Sequence, residues 1–414
     1  MNLPPNVVRT KYWQALDDGR VQCDVCPRHC KLREGQRGLC WVRGNRHGEV
    51  VLTSYGQASG FCIDPVEKKP LNHFLPGTPI LSFGQQGCNL TCRFCQNWSI
   101  SKAGKQTPIV GNEDYMRDTI AKSEARAADI RDGRGKLIAW KRPTSEKEVR
   151  SMNVLDEQLV RPEMIAEAAV LTHCRSVAFT YNDPVIFHEY AIDVADACRA
   201  KGIRAVAVSA GYMCAEPRAE FYGHMDAANI DLKGFTERFY KEVCTGELEA
   251  VKETLVYLKR ETRVWFEITT LLIPDENDSD EDLHAECAWI ADALGPDVPL
   301  HFSAFHPDWK MRDTPHTPPT TLRRARDIAL GYGLSYVYVG NVHDRAASST
   351  YCHACGEPLI GRDWYELSTW SLTDEGACQA CGTPCAGVFD GPPGDWGRKR
   401  QPIRLQTPQV RATA

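Results

Sequence analysis

Short runs rich in apolar and β-branched residues recur along the chain and alternate with longer stretches patterned as helices. The runs are Pro79 to Phe83, Ser176 to Tyr181, Arg204 to Ser209, Ala228 to Leu232, Val264 to Ile273, Leu300 to Phe305 and Tyr336 to Val339. Between them, Met164 to Thr172, Val185 to Lys201, Glu249 to Arg260 and Asp280 to Leu294 carry apolar residues at helical period. Such alternation reads as βα units around a parallel sheet. Six or seven units predict an α/β fold built as a partial or complete parallel (β/α) barrel, with its site at the C-terminal ends of the strands. A chain of 414 residues is too long for that domain alone, so smaller modules are expected at its ends.

The first strand leads into a loop, Gly87 to Asn97, in which Cys88, Cys92 and Cys95 stand at C-x3-C-x2-C spacing. Three thiolates from one loop can hold three irons of a cubane 4Fe-4S cluster and leave the fourth open. A complete cysteine set would close such a cluster for electron transfer alone, so three ligands imply chemistry at the open iron. The plain alternatives are a zinc loop or an accidental group of buried thiols. The loop stands where a barrel of this kind puts its site.

Two further cysteine groups lie outside the strand pattern. Cys23, Cys26, Cys30 and Cys40 are spaced C-x2-C-x3-C-x9-C, with Pro27, Gly35 and Gly38 supplying turns between them. Four thiolates suit a closed zinc site or a second iron-sulfur cluster, and spacing alone does not separate the two. Near the other end, Cys352-x2-Cys355 and Cys378-x2-Cys381 bracket 22 residues and read as a zinc ribbon, with Cys385 as a spare ligand. Its expected role is structural. Of the 18 cysteines, Cys62, Cys174, Cys198, Cys214, Cys244, Cys287 and Cys385 fall outside these groups and are expected to be core thiols.

The net charge of -5 offers no broad basic field, so no nucleic-acid partner is expected. The first residues lack an apolar signal core, and no run of about 18 apolar residues occurs, so no membrane partner and a soluble, cytoplasmic protein are expected. Cysteines in a chain of this length without a signal point to metal ligands rather than disulfides. The expected layout is an N-terminal four-cysteine segment at 1–75, the barrel at 76–342, a zinc-ribbon-like module at 343–390 and a disordered tail at 391–414. The charged run at 112–157 interrupts the barrel and reads as a solvated helix or mobile loop, with a partner-docking surface as the alternative.

The Cys loop resembles the signature of the radical S-adenosylmethionine (radical SAM) superfamily. Further motifs narrow the likeness: Asp64 to Pro70, His73 to Gly77, the Cys95 to Trp98 continuation, Tyr181 to Pro184, Asn229 to Lys233 and Tyr338 to Asn341. Together they resemble the AmmeMemoRadiSam system radical SAM enzymes, relatives of the pyruvate formate-lyase activating enzymes. The resemblance implies that a 4Fe-4S cluster on Cys88, Cys92 and Cys95 binds SAM at its open iron and cleaves it reductively. The radical so formed abstracts hydrogen from a substrate, with a glycine or other residue of a partner protein as the candidate. It also implies a low-potential electron donor, a flavodoxin or ferredoxin, and AMMECR and Memo family proteins as partners.

The resemblance places Asn182, Asp183, Ser209, Asp231 and Lys233 around SAM. This sequence has Asp183 where the family usually has Glu, and Ala210 where the family has Asn. Asp231 and Lys233 alternate along a strand and so face one side together, as SAM neighbours or as a structural charge pair. Tyr181 to Pro184 also reads as a plain turn. His301 and His306 are candidates to approach adenine or substrate, and one of Lys68 and Lys69 to meet an anionic ligand. Two rival readings are radical modification of a small molecule and, in another class, a ferredoxin-like electron carrier or metal scaffold.

Overall fold

The computed structural model of the protein describes residues 3–102 and 159–405. The charged run at 112–157 lies outside the described residues. Eight strands set the frame: β1 (Ser59–Pro65), β2 (Pro79–Gly84), β3 (Ser176–Phe179), β4 (Arg204–Ser209), β5 (Ala227–Asp231), β6 (Trp265–Leu272), β7 (Leu300–Ala304) and β8 (Val337–Gly340). A ninth, β9 (Gln401–Pro402), comes from the end of the described chain. They form one sheet in the order β8-β7-β6-β5-β4-β3-β2-β1-β9.

From β2 to β8 every neighbouring pair is parallel and in sequence order. β1 and β9 add to the edge in antiparallel fashion. The end strands β8 and β9 do not pair, so the barrel is the partial form. The strands are nearly all apolar because both faces are covered: β3 is buried at all four positions. Helices α1 (Pro162–Leu171), α2 (His188–Arg199), α3 (Ala215–Gly223), α4 (Leu248–Glu261), α5 (Asp280–Ala293) and α6 (Pro319–Gly331) make the connections. Ser279 caps α5 by accepting from the Asp282 N–H at 3.1 Å, which satisfies one orphan donor of its first turn.

Two boundaries differ from expectation. The N-terminal segment was expected to reach residue 75, but Ser59–Pro65 belongs to the main sheet as β1. The reason is the register that pairs Ile63 with Leu81 and buries both. The tail expected to be disordered from residue 391 packs against the barrel as far as 405. Gln401 and Pro402 pair with Ile63 and Cys62, the Trp396 N–H donates to the Gly77 carbonyl at 3.0 Å, and Ile403 and Leu405 rest on the core.

The C-terminal cysteine module is a three-stranded antiparallel sheet, Thr350–Tyr351, Pro358–Asp363 and Glu366–Trp370. It docks at the N-terminal ends of the barrel strands, opposite the Cys88 loop. There the buried Arg362 donates to the Asn72 carbonyl at 2.6 Å and to the Thr350 hydroxyl at 2.8 Å. His73 lies against the Ala386 carbonyl and the Tyr338 hydroxyl.

Candidate functional site at the strand ends

The loop after β2 is tied down from three directions. Residues Tyr240–Cys244 form a π-helical turn, a form often found at functional sites. Its Cys244 and Val243 carbonyls accept from the Thr91 and Arg93 N–H groups at 3.0 and 2.9 Å. The Asn182 amide donates to the Gly87 carbonyl at 2.8 Å. The Asn89 amide donates to the Tyr212 carbonyl at 2.9 Å. Trp98 closes the outer side, stacked on Trp309 at 4.9 Å and donating to Asp308 at 3.0 Å.

The three thiols are held by little else. Cys88 Sγ receives the Leu90 N–H at 3.5 Å, and Cys95 Sγ lies 3.6 Å from the Ser101 hydroxyl. Burial, with Asp183 nearby, pushes the Cys88 thiol up to about 12. Cys92 goes the other way, to about 7, because the Cys244 thiol donates to it and the Lys233 and Lys102 ammonium groups face it. Cys244 was expected to be an ordinary core thiol. It is buried, but beside Cys92, and its own titration is pushed well up by burial and by the Cys92 charge.

The residues expected around SAM do converge on this end of the sheet, in two groups. Asp183 is 2% exposed, and its carboxylate accepts from the Ser209 hydroxyl at 2.9 Å, the Ala210 N–H at 3.0 Å and the Val185 N–H at 3.1 Å. Burial pushes its titration up to about 6 in spite of these donors. Most of its acceptor capacity is therefore spent on shaping the ends of β3 and β4. Asn182, bonded to Gly87, likewise positions the Cys loop. Asp231 and Lys233 form an ion pair at 2.9 Å, with the Lys233 ammonium 5.9 Å from the Phe94 ring centroid. Burial alone would lower Lys233, but Asp231 and the thiols of Cys92 and Cys244 hold it well above its usual value.

Other sequence candidates lie elsewhere. His301 is the second residue of β7, on its N-terminal half, and lies 2.7 Å from the fully buried Glu267 carboxylate. Glu267 also accepts from the Asn72 and His73 N–H groups, so this is a satisfied structural network, away from the strand ends. His306 is exposed just beyond β7. Lys68 and Lys69 both reach Asp64, at 3.1 and 2.7 Å, so the anion they meet is this chain's own carboxylate. Lys102, Cys244 and Arg28 were missed, because each reaches the loop through the fold and stands in no motif.

The cysteine groups differ in spacing. Among the described residues, only Cys352, Cys355, Cys378 and Cys381 bring three or more such ligand atoms all within 4.8 Å of one another. Cys352 lies 3.6 Å from Cys381, and Cys355 lies 3.8 Å from Cys378. Sulfurs held at about 2.3 Å from a single tetrahedral zinc lie roughly 3.8 Å apart, so this quartet fits one ion. Cys385 stands apart, 3.8 Å from His73 Nδ1. The three sulfurs of the Cys88 loop do not all lie within 4.8 Å of one another, which suits a cubane, where each thiolate meets a different iron. One buried and two half-buried thiols on one loop, with two lysines to offset anionic charge, fit such a cluster.

An open parallel α/β sheet with a three-cysteine loop at its strand ends defines a class of proteins. The description "Radical SAM superfamily" matches residues 83–287. An uncharacterized protein of Methanocaldococcus jannaschii is 37% identical over 372 residues, covering 90% of this chain and 96% of its own. The chain belongs to the radical SAM superfamily. Membership implies an enzyme with a 4Fe-4S cluster and SAM.

The chain is also similar to two solved structures at low identity. A domain of pyruvate-formate lyase-activating enzyme from Bacteroides vulgatus is 18% identical, with a TM-score of 0.36, over 40% of this chain and 98% of that one. A radical SAM methyltransferase from Sphaerobacter thermophilus is 12% identical, with a TM-score of 0.40, over 85% of this chain and 81% of that one. Among the described residues, no helix is long and apolar enough to cross a membrane.

Proposed function

We propose that the protein cleaves SAM reductively and takes a hydrogen atom from a C–H bond of a polypeptide, at a glycine or another residue of a partner protein. The cluster, when bound, supplies the electron that breaks the sulfonium carbon bond. The observation that carries this reading is the convergence of Cys88, Cys92 and Cys95 with the Asp231–Lys233 pair and the Asp183–Ser209 turn at one end of the sheet.

The chain's own residues hold and shape that site. The Cys loop is fixed on either side of Cys88, where the Asn182 amide donates to the Gly87 carbonyl and the loop's own Asn89 amide donates to the Tyr212 carbonyl. Asp183 ties the ends of β3 and β4 together by accepting from the Ala210 and Val185 N–H groups. The Asp231–Lys233 pair offers a carboxylate and an ammonium to the charged amino-acid part of SAM. Trp98 and Trp309 form an apolar wall that excludes water on the loop's outer side.

The polypeptide substrate is favoured by the motifs shared with the activating enzymes, with AMMECR and Memo family proteins as the partners that resemblance names. The ribbon quartet holds zinc as a structural ion, on its sulfur spacing. A flavodoxin or ferredoxin supplies electrons in the cytoplasm, where the free cysteines stay reduced.

The test is anaerobic reconstitution with iron, sulfide, a low-potential reductant and SAM, followed by assay for 5'-deoxyadenosine. The expected result is its formation by the wild type and its loss in Cys92→Ala, with Cys174→Ala unaffected. Production undiminished in Cys92→Ala at full iron content removes the reading. Absence of the product in iron-replete wild type favours an electron carrier or metal scaffold instead.

A further inference from the structure

The N-terminal cysteines raise a separate question, because four thiolates suit either zinc or an iron-sulfur cluster. Cys23, Cys26, Cys30 and Cys40 all line one cavity, together with Arg28, Arg43 and Asn89. The sequence brings them there through short strands: Cys23 ends Val21–Cys23, and the Cys23 N–H donates to the Cys30 carbonyl at 3.0 Å. The thiols thus face a common space.

Their spacing can be read against the other two groups of the same chain. The ribbon quartet brings its sulfurs within 4.8 Å of one another, and no three thiols of the N-terminal group do so. In this respect the N-terminal quartet goes with the Cys88 loop and not with the ribbon. A lone tetrahedral ion needs sulfurs roughly 3.8 Å apart, whereas a cluster spreads its ligands over several irons. The lining also carries cations. Arg28 and Arg43 stand among the thiols, Arg43 also paired with Glu189 at 2.6 Å, and thiolates removed from water need such charge beside them.

The position of this cavity is as telling as its ligands. It backs directly onto the Cys88 loop. Arg28, between Cys26 and Cys30, donates to the Asn89 carbonyl at 2.5 Å and to the Thr245 hydroxyl at 2.7 Å. Asn89 lines the cavity and adjoins Cys88. The Cys40 carbonyl lies so close to Gly87 that a Cβ there would sit 2.1 Å from the Cys40 oxygen. Backbone of one cysteine group therefore touches backbone of the other.

We propose that Cys23, Cys26, Cys30 and Cys40 hold a second, fully cysteine-ligated iron-sulfur cluster that passes single electrons to the cluster on Cys88, Cys92 and Cys95. With every iron capped there is no position for SAM or substrate, which leaves electron transfer as its task. One electron from a donor of the ferredoxin or flavodoxin class reduces this cluster by one unit, and handing it on restores the starting state. No bond or proton changes place. The relay role rests on the reading of the Cys88 loop as the SAM-cleaving site; the presence of a second cluster does not.

The experiment uses the full chain, reconstituted anaerobically with iron and sulfide. Wild type is expected to bind about eight irons, and the Cys88→Ala/Cys92→Ala/Cys95→Ala variant about four, as for one remaining 4Fe-4S cluster. On reduction that variant should show an electron paramagnetic resonance signal that SAM does not alter. Circular dichroism checks its fold. A folded triple variant without iron, or with a zinc equivalent beyond that of the ribbon, overturns the second cluster.

Should the triple variant not fold, Cys26→Ser/Cys30→Ser gives the same decision from the other side. Its iron should fall from about eight to about four, and unchanged iron overturns the proposal. In that variant 5'-deoxyadenosine formation driven by a protein donor should drop several-fold more than formation driven by dithionite. Equal rates with both donors overturn the relay. Iron near eight with no 5'-deoxyadenosine in wild type would sink the SAM-cleaving reading and leave the second cluster standing.

Discussion

Gly87→Ala is the substitution on which the docking of the N-terminal segment turns. Gly87 has φ +93°, a backbone conformation that a side chain makes costly, at about 1–2 kcal/mol. The second cost is contact. The new Cβ would lie 2.1 Å from the Cys40 carbonyl oxygen and 3.2 Å from Ile186 Cδ1, where ordinary contact begins near 3.4 Å. A backbone carbonyl cannot rotate away as a side chain can, so the segment carrying Cys40 must move by about 1 Å or more, at an overpacking cost of about 1–3 kcal/mol. Gly19→Ala separates the two costs, since Gly19 has φ +79° and nothing within 4 Å of its Cβ position. For a domain of this size about 1 kcal/mol shifts the melting temperature by about 2–4 °C. Gly87→Ala should therefore melt a few degrees to about 10 °C below Gly19→Ala, by calorimetry on reconstituted protein, and should retain less iron. Equal melting temperatures and full iron in both variants would refute the close approach.

Further expectations concern the ion pair, the ribbon and one buried acid. Asp231→Asn and Lys233→Ala should weaken SAM binding in calorimetric titration more than they lower thermal stability; normal binding with a loss of several degrees would make the pair structural. Cys352→Ser and Cys378→Ser should each remove one zinc equivalent from aerobically purified protein, and unchanged zinc, or loss of iron instead, would contradict the ribbon's assignment. Glu286, 2% exposed and accepting a hydrogen bond from Thr270, is pushed up to about 8 by burial, so its folded value stands above the unfolded 4.5. The stability it contributes is then full below about 4.5 and lost as pH rises toward about 8. Glu286→Gln should flatten that decline, giving a melting-temperature advantage over wild type that grows between about pH 5 and pH 8; parallel curves would show that Glu286 does not titrate there.

What was legible in the sequence followed from local patterns. Seven parallel strands fall within a residue or two of the apolar runs, because strands covered on both faces must be continuously apolar. The Cys88 loop was legible because its ligands are close together in the chain. Helices α3 and α6 were not picked out: α3 is short and carries Pro217, and α6 begins in a run of prolines and threonines. Cys244 escaped because it is far along the chain from Cys92, and only the π-turn that holds the loop carbonyl by carbonyl brings them together. His301 misled for a related reason. A histidine at a strand resembles a site residue until its register places it on the N-terminal half, against Glu267.

The short strand β9 has a consequence for handling the protein. Without it, β1 would present an unpaired row of backbone donors and acceptors at the margin of the sheet, a template for another copy's strand. β9 covers that row with two residues, one of them Pro402, whose nitrogen carries no hydrogen to offer a further neighbour. Chain termination at residue 390 would leave the cysteine ligands intact and strip away this cover. Such a shortened form should self-associate at concentrations where the full chain stays dispersed, and expression designs that trim the C-terminus as dispensable would encounter precipitation with no lesion in the metal sites.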